Sequence, residues 1–381
     1  MTMQTGNEAS PKKILLALDK FKGSLTAAEA ADHVAIGLRR VLPGVTIASV
    51  PVADGGEGTV EAALRAGLGE VRLMATGPLG ERRETRYAAD AETAVIEMAE
   101  ISGLQMLEPT AQTSLSATSR GVGDAIAHAL DTGRRRIIIG VGGSASTDGG
   151  AGMLAALGLR LLGPSGALPD GGAALGDLVE VDASDLHAGL SDAELILAAD
   201  VDNPLLGPSG AAQVYGPQKG ADPQSVERLE AGLAQWAAVL GRALPEQAQG
   251  RDELAGAGAA GGVGYACLVL GARFQAGVAL MLELAGFDEH VRDVDLVITG
   301  EGSLDAQSLH GKVPVGVAQA AAQHGVPTIA LAGRSLISAA EAVSAGIESV
   351  HTLVELEPDP AICMAQAGPL LETLAEGAVA S

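Results

Sequence analysis

The chain has 381 residues, a formal net charge of −23 and only 2% aromatic residues. That balance excludes nucleic acid and anionic membrane surfaces as partners, since both need a basic field, and it leaves few rings for stacking on bases. The length exceeds what one hydrophobic core usually serves, so two domains are expected.

The opening MTMQTGNEASPKK has no apolar run behind its charges and reads as a disordered tail, neither signal peptide nor anchor. KILLAL (13–18) reads as the first strand. Behind it Thr26 and Glu29 form a capping-box signature, and Ala27, Ala30, Ala31, Val34, Leu38, Val41 and Leu42 fall at helical spacing until Pro43 and Gly44 stop the helix. Further strands are expected at TIASVPV (46–52), TAVIEMA (93–99), RRIIIGV (135–141), ELILAAD (194–200), DLVITG (295–300), PTIALAG (327–333) and IESVHTL (347–353). Helices are expected at 151–162, 313–325 and 338–346, and the Ala/Gly-rich stretch 255–264 reads as a loop. The longest apolar stretch (265–287) is broken by Arg273, Gln275 and Glu283, so it reads as core helices of a soluble protein rather than a membrane span.

Strands alternating with helical patterns indicate α/β layers with mostly parallel strands. The two ends of the chain share this texture, whereas the middle is richer in turns and short strands. The expected architecture is therefore a Rossmann-like open parallel sheet domain from residues 1–68 and 288–381. A second α/β domain, 69–287, is inserted, with the active site expected in the cleft between. Cys267 and Cys363 form no disulfide framework, and the seven histidines show no paired ligand spacing, so a reducing cytoplasm is expected and a zinc site is not.

Open α/β sheets bind ligands beyond the carboxyl ends of their strands, where this chain is unusually charged. GVGGSASTDGG (140–150) joins a strand to a helix through glycines and small hydroxyls. Gly143, Ser144, Ser146 and Asp148 there suit a phosphate held by backbone N–H groups, yet the stretch has no lysine. The positive charge must come from other segments. DKFKGSLTA carries Lys20, Lys22 and Ser24 before a capped helix, YGPQKGADP carries Lys219, and GEGSLDAQSLHGKVP carries Lys312 with Glu301 and Asp305. PVADGGEGT sets Asp54 and Glu57 around two glycines, and LAADVDNPL sets Asp200 and Asn203 after a strand. Such carboxylates can hold Mg²⁺ or accept a proton from a hydroxyl. GVGGSA and GAGAAG (256–261) match glycine patterns of dinucleotide loops. The first lacks an acidic strand end about 20 residues on and the second lacks a preceding strand, so both are weak signals for NAD.

In order and over nearly the whole chain, DKFKGSLTAAEA, ADGGEGT, GVGGSASTDGGAGML, NPLLGPSGAAQVYGPQKGA, GAGAAGG and GEGSLDAQSLHGKVP resemble the type I glycerate kinase family. The resemblance implies ATP- and Mg²⁺-dependent phosphorylation of D-glycerate to 2-phosphoglycerate. It also implies a Rossmann-like domain that contains both termini. Two positions depart from the family pattern: Ser303 stands where an arginine usually follows GEG, and Thr147 where an asparagine is usual. The first departure removes one phosphate or carboxylate contact.

Phosphoryl transfer needs backbone donors, cations, Mg²⁺ ligands and a base, and each class is present. Lys22, Ser24, Gly143, Ser144, Ser146, Asp148, Asn203, Lys219 and Lys312 are the candidates for binding substrate or phosphate, and Glu57, Glu301 and Asp305 for metal. Asp200, with Asp54 as runner-up, is the candidate base, and Lys20 acts beside it. Two rival readings are an NAD-dependent hydroxy-acid oxidoreductase and a non-catalytic hydroxy-acid binding protein. Without Mg²⁺, however, so many carboxylates would repel an acidic ligand.

Overall fold

The computed structural model describes residues 12–306, 308–310 and 312–379; the expected tail, up to residue 11, lies outside the described residues. In chain order the strands are β1 (Lys13–Leu18), β2 (Thr46–Ser49), β3 (Gly69–Thr76), β4 (Arg82–Ala89), β5 (Thr93–Glu97), β6 (Arg136–Gly140) and β7 (Arg160–Gly163). They continue with β8 (Gly166–Ala167), β9 (Glu180–Asp182), β10 (Glu194–Ala198), β11 (Arg273–Gln275), β12 (Leu296–Leu304), β13 (Thr328–Ser335) and β14 (Ser349–Thr352).

The chain divides into two units, one of Met1–Ala53 with Met281–Ser381 and one of Asp54–Leu280. The seams thus fall before the expected 68/69 and 287/288. The first shift has a local cause: Glu97, buried at the end of β5, accepts hydrogen bonds from Gly58 N at 3.1 Å and Val60 N at 2.9 Å. A carboxylate at the start of helix Thr59–Arg65 satisfies its orphan donors and ties it to the second unit's sheet.

The first unit is an all-parallel sheet in the order β14-β13-β12-β1-β2. Ile14–Leu18 is buried throughout, as a central parallel strand covered on both faces requires. The helix Ala27–Val41 starts at the Thr26/Glu29 capping box and buries Ala30, Val34 and Leu38. It meets the helix Ala367–Ala378 so closely that a Cβ at Gly37 would lie 2.1 Å from the Glu372 carbonyl oxygen. The connection from β1 leads to β2 on one side, while β12, β13 and β14 continue on the other. The strand order therefore reverses between β1 and β12, the kind of position where open sheets place ligands. β12 also runs four residues beyond the expected end at Gly300. Its pairing with β1 ends at Leu18–Gly300, but β13 keeps pairing as far as Leu304.

The second unit holds a mixed sheet, β11-β10-β6-β5-β4-β3, in which β5, β6, β10 and β11 are parallel and β3 to β5 antiparallel, and a small antiparallel sheet, β8-β7-β9. Its core is built on Tyr87, Ile96, Ile137, Ile139, Leu197, Trp236 and Tyr265. The helix expected to run to 162 ends at Ala156. Gly158 turns at φ +102°, where a Cβ would lie 2.0 Å from the Asp185 carbonyl oxygen, and the chain goes on as β7. The apolar stretch 265–287 contains core helices with β11 between them; among the described residues no helix is long and apolar enough to cross a membrane.

Candidate active site

In the first unit the expected residues gather at the carboxyl end of the sheet, around the reversal between β1 and β12. Asp19 leaves β1 with its N–H on the Gly300 carbonyl at 2.9 Å, and its Oδ1 accepts from Lys20 N at 2.7 Å. The chain then closes a tight turn. Phe21 N donates to the Leu25 carbonyl, and Ser24 N and Oγ both donate to the Phe21 carbonyl, so the Ser24 hydroxyl serves the turn. Gly23 supplies φ +83°. Lys22 is exposed and Lys20 half-buried. The turn rests on β12, for a Cβ at Gly302 would lie 3.3 Å from Lys22 N.

On β12 itself Glu301 is buried, and Ser308 joins it to Asp305. The Ser308 hydroxyl donates to Glu301 Oε1, Ser308 N donates to Asp305 Oδ1 at 3.3 Å, and Asp305 N donates to Ser308 Oγ at 3.1 Å. Lys312 stands at the N-cap of the helix Val313–Gln323, whose first turn contains Pro314. Two linked carboxylates are hard oxygen donors of the kind Mg²⁺ takes from a protein when nucleotide phosphates and water supply the rest. Among the described residues no three His, Cys, Asp or Glu side chains come together as a complete metal cage.

In the second unit Asp54, Glu57, Gly143 and Asp200 likewise lie beyond the carboxyl ends of β5, β6 and β10. The Asp54–Glu57 turn packs directly on those ends: a Cβ at Gly55 would lie 2.8 Å from the Ala198 carbonyl oxygen, and one at Gly142 would lie 2.5 Å from Gly56 Cα. Asp54 Oδ1 accepts from Gly56 N at 3.0 Å. Asp200 Oδ1 accepts from Gly277 N at 3.0 Å, and a Cβ at Gly277 would meet the Asp54 backbone, so one small residue joins the two acidic turns. Glu57 Oε1 accepts from Gln105 Nε2 at 2.7 Å and flanks Gly143. Asn203 has both ends of its amide engaged, donating to the Ser209 carbonyl at 2.7 Å and accepting from Tyr215 OH at 2.6 Å.

Of the glycine-rich turn, only Gly142 and Gly143 reach the surface; Ser144 to Gly150 are buried. The helix N-terminus that an anion would approach is already filled. Asp148 Oδ1 accepts from Gly150 N at 3.1 Å, and its Oδ2 accepts from Gly152 N at 3.3 Å and from Ser119 N and Oγ at 2.8 and 2.9 Å. Burial raises the Asp148 carboxyl above the ordinary carboxylate range, while these bonds oppose the rise. Beneath the turn lies Lys219, 2% exposed, whose Nζ donates to Ser144 Oγ at 2.8 Å and to the Ser146 carbonyl at 2.6 Å. Burial depresses its ammonium to about 7, against the opposing pull of Asp148. The missing lysine of the turn is thus an internal one.

Sequence reasoning missed what braces the turn from behind. The Ala/Gly-rich stretch, expected as a loop, carries the start of helix Ala259–Val269, with Ala260, Gly261 and Gly262 all left-handed. Ala260 is the only non-glycine residue with positive φ among the described residues. A Cβ at Gly261 would lie 2.2 Å from the Ser146 carbonyl oxygen, and Gly149 N donates to the Gly261 carbonyl at 2.9 Å. GAGAAG therefore marks backbone packed on backbone, a signal present in the glycine spacing but pointing to a different cause.

The profile of the glycerate kinase family matches residues 14–381. The chain is 44% identical over 347 residues to a glycerate kinase of Bacillus subtilis (strain 168) and 42% identical over 347 residues to a glycerate 2-kinase of Escherichia coli (strain K12), covering 90% of each partner in both cases. It superposes with a TM-score of 0.82, at 41% identity and 97% coverage of both chains, on a crystal structure of a Salmonella typhimurium LT2 protein assigned as glycerate kinase 2. With a match of this length, and with its charged residues at the ends of parallel strands, the chain belongs to the glycerate kinase family.

Proposed function

We propose that the protein transfers the γ-phosphoryl group of ATP to the 2-hydroxyl of D-glycerate. The observation that carries this reading is the gathering of Lys20, Lys22, Glu301 and Asp305 at the β1/β12 reversal in a chain of this family. The acceptor oxygen attacks the γ-phosphorus, the bond to the ADP oxygen breaks, and the hydroxyl proton passes to a carboxylate, for which Asp200 is our choice and Asp54 the runner-up. Lys20 and Lys22 neutralise anionic oxygens, and Lys312 adds charge at its helix start. Glu301 and Asp305 would hold Mg²⁺, which supplies charge neutralisation on the phosphates when bound. Glu57 is the remaining candidate ligand, and Gly143 the exposed part of the glycine-rich turn. Ser144, Ser146, Asp148 and Lys219 act from beneath as its support, Ser24 closes the lysine turn, and Asn203 holds the turn after Asp200. The NAD reading loses its two loops, since one helix start is filled by Asp148 and the other glycine pattern is buried. ATP as donor and the buried free thiols Cys267 and Cys363 fit a reducing cytoplasm.

A coupled ADP-release assay with D-glycerate, with the product identified as 2- or 3-phosphoglycerate, tests the reading. Failure to release ADP overturns it, and a 3-phosphoglycerate product overturns the regiochemistry. Activity is expected to require a divalent cation. Glu301→Gln and Asp305→Asn should each lower turnover at limiting Mg²⁺ by about 10-fold or more, and wild-type turnover in both would remove them from the site. Lys20→Met and Lys22→Met should each raise KM for an anionic substrate about 10-fold, because charge-assisted contacts add much to binding, and in Lys22→Met the melting temperature should stay put, because an exposed lysine adds little to folding. Unchanged KM values for both substrates in both variants would dismiss the anion site.

A further inference from the structure

Ser303 lies on the part of β12 that pairs only with β13. Parallel pairing sets Ser303 directly beside Arg334, and Arg334 Nε donates to Ser303 Oγ at 3.1 Å. Alternation along a strand puts Glu301 and Ser303 on one face, and register partners share a face, so Arg334 stands on the Glu301 face. The strands approach closely here because Gly302 and Gly333 are small: a Cβ at Gly333 would lie 2.3 Å from the Gly302 carbonyl oxygen. Arg334 is exposed and forms no ion pair with an acidic side chain among the described residues; its bond to Ser303 uses Nε and orients the guanidinium. In a chain of net charge −23, an oriented guanidinium with no carboxylate partner among the described residues, at the carboxyl end of a parallel sheet, is suited to an anion supplied from outside.

We propose that Arg334, oriented on β13 by Ser303, binds an anionic oxygen of a substrate. The inference rests on the kinase reading above. Ser303 acts as a positioning residue, accepting from Nε and leaving the terminal nitrogens to a phosphate of the nucleotide or the carboxylate of glycerate.

The test is a four-protein set: wild type, Arg334→Ser, Ser303→Arg with Arg334→Ser, and Ser303→Ala. Each is titrated calorimetrically with Mg·ATP and with D-glycerate and assayed for KM and kcat. Arg334→Ser is expected to weaken binding and raise KM about 10-fold or more for one substrate, with kcat within a few-fold and the melting temperature unchanged, since the side chain is exposed. Which substrate responds identifies the anion as phosphate or carboxylate. Adding Ser303→Arg should restore affinity, and Ser303→Ala should fall between. Wild-type affinity for both substrates in Arg334→Ser overturns the proposal, and so does failure of Ser303→Arg to restore it. A wild-type protein that binds its substrates but releases no ADP defeats the kinase reading, while the titrations still judge Arg334.

Discussion

Asp200→Asn is expected to lower kcat by roughly 100-fold or more with little change in ATP affinity, the usual loss when a general base is removed. The carboxylate stands past the end of β10 with Oδ1 anchored on Gly277 N at 3.0 Å. An asparagine keeps that acceptor, so the turn and the packing of Gly277 on the Asp54 backbone survive while the proton acceptor is lost. A thermal melt measured beside kcat separates chemistry from structure. Full specific activity in a destabilised Asn variant would make Asp200 a turn residue and move the base to Asp54.

Lys219→Met is expected to act on stability first. It removes the donor to Ser144 Oγ and the Ser146 carbonyl beneath the glycine-rich turn. Leaving a buried acceptor without its donor typically costs about 1–3 kcal/mol. The effect should depend on pH, and its sign follows from proton binding. The folded-state ammonium is depressed from 10.5 to about 7, so between those values the unfolded chain holds more protons than the folded one. Wild-type stability therefore rises with pH across that window, by on the order of 2 kcal/mol between pH 7 and 9. A methionine in its place cannot titrate, so the gap between the two melting temperatures should widen from pH 6.5 to pH 9. A gap that is constant or narrows would mean that the lysine is not held largely neutral under the turn.

These residues also mark what was legible in the sequence. The capping box at Thr26 and Glu29 fixes a helix start within four residues, and Ile14–Leu18 is apolar throughout, so both were read from local pattern. The end of β12 was not, because Glu301–Leu304 becomes strand only through pairing with β13. Lys219 reads as a solvated loop charge, since its burial is decided by a turn more than 70 residues away in sequence. Asp148 reads as a phosphate contact because its partner Ser119 lies 29 residues away in sequence, just before another helix. Arg334 has no motif at all; only register gives it a neighbour.

The discontinuous first unit has a consequence for how the chain is made. β1 is a central strand, and its partner β12 lies across the whole inserted unit; even the bond from Lys12 N to Asp295 Oδ2 at its start spans 283 residues. At translation rates of about 5–20 residues per second, β2 follows the apolar KILLAL strand within seconds, but the β12 edge of that strand waits roughly 15–60 s before β12 is made. The inserted unit, continuous in sequence, can fold during that interval, and the lysine turn is completed last. A nascent chain stalled before residue 296 would carry a folded second unit and an N-terminal β1–β2 pair whose β12 edge is open and aggregation-prone.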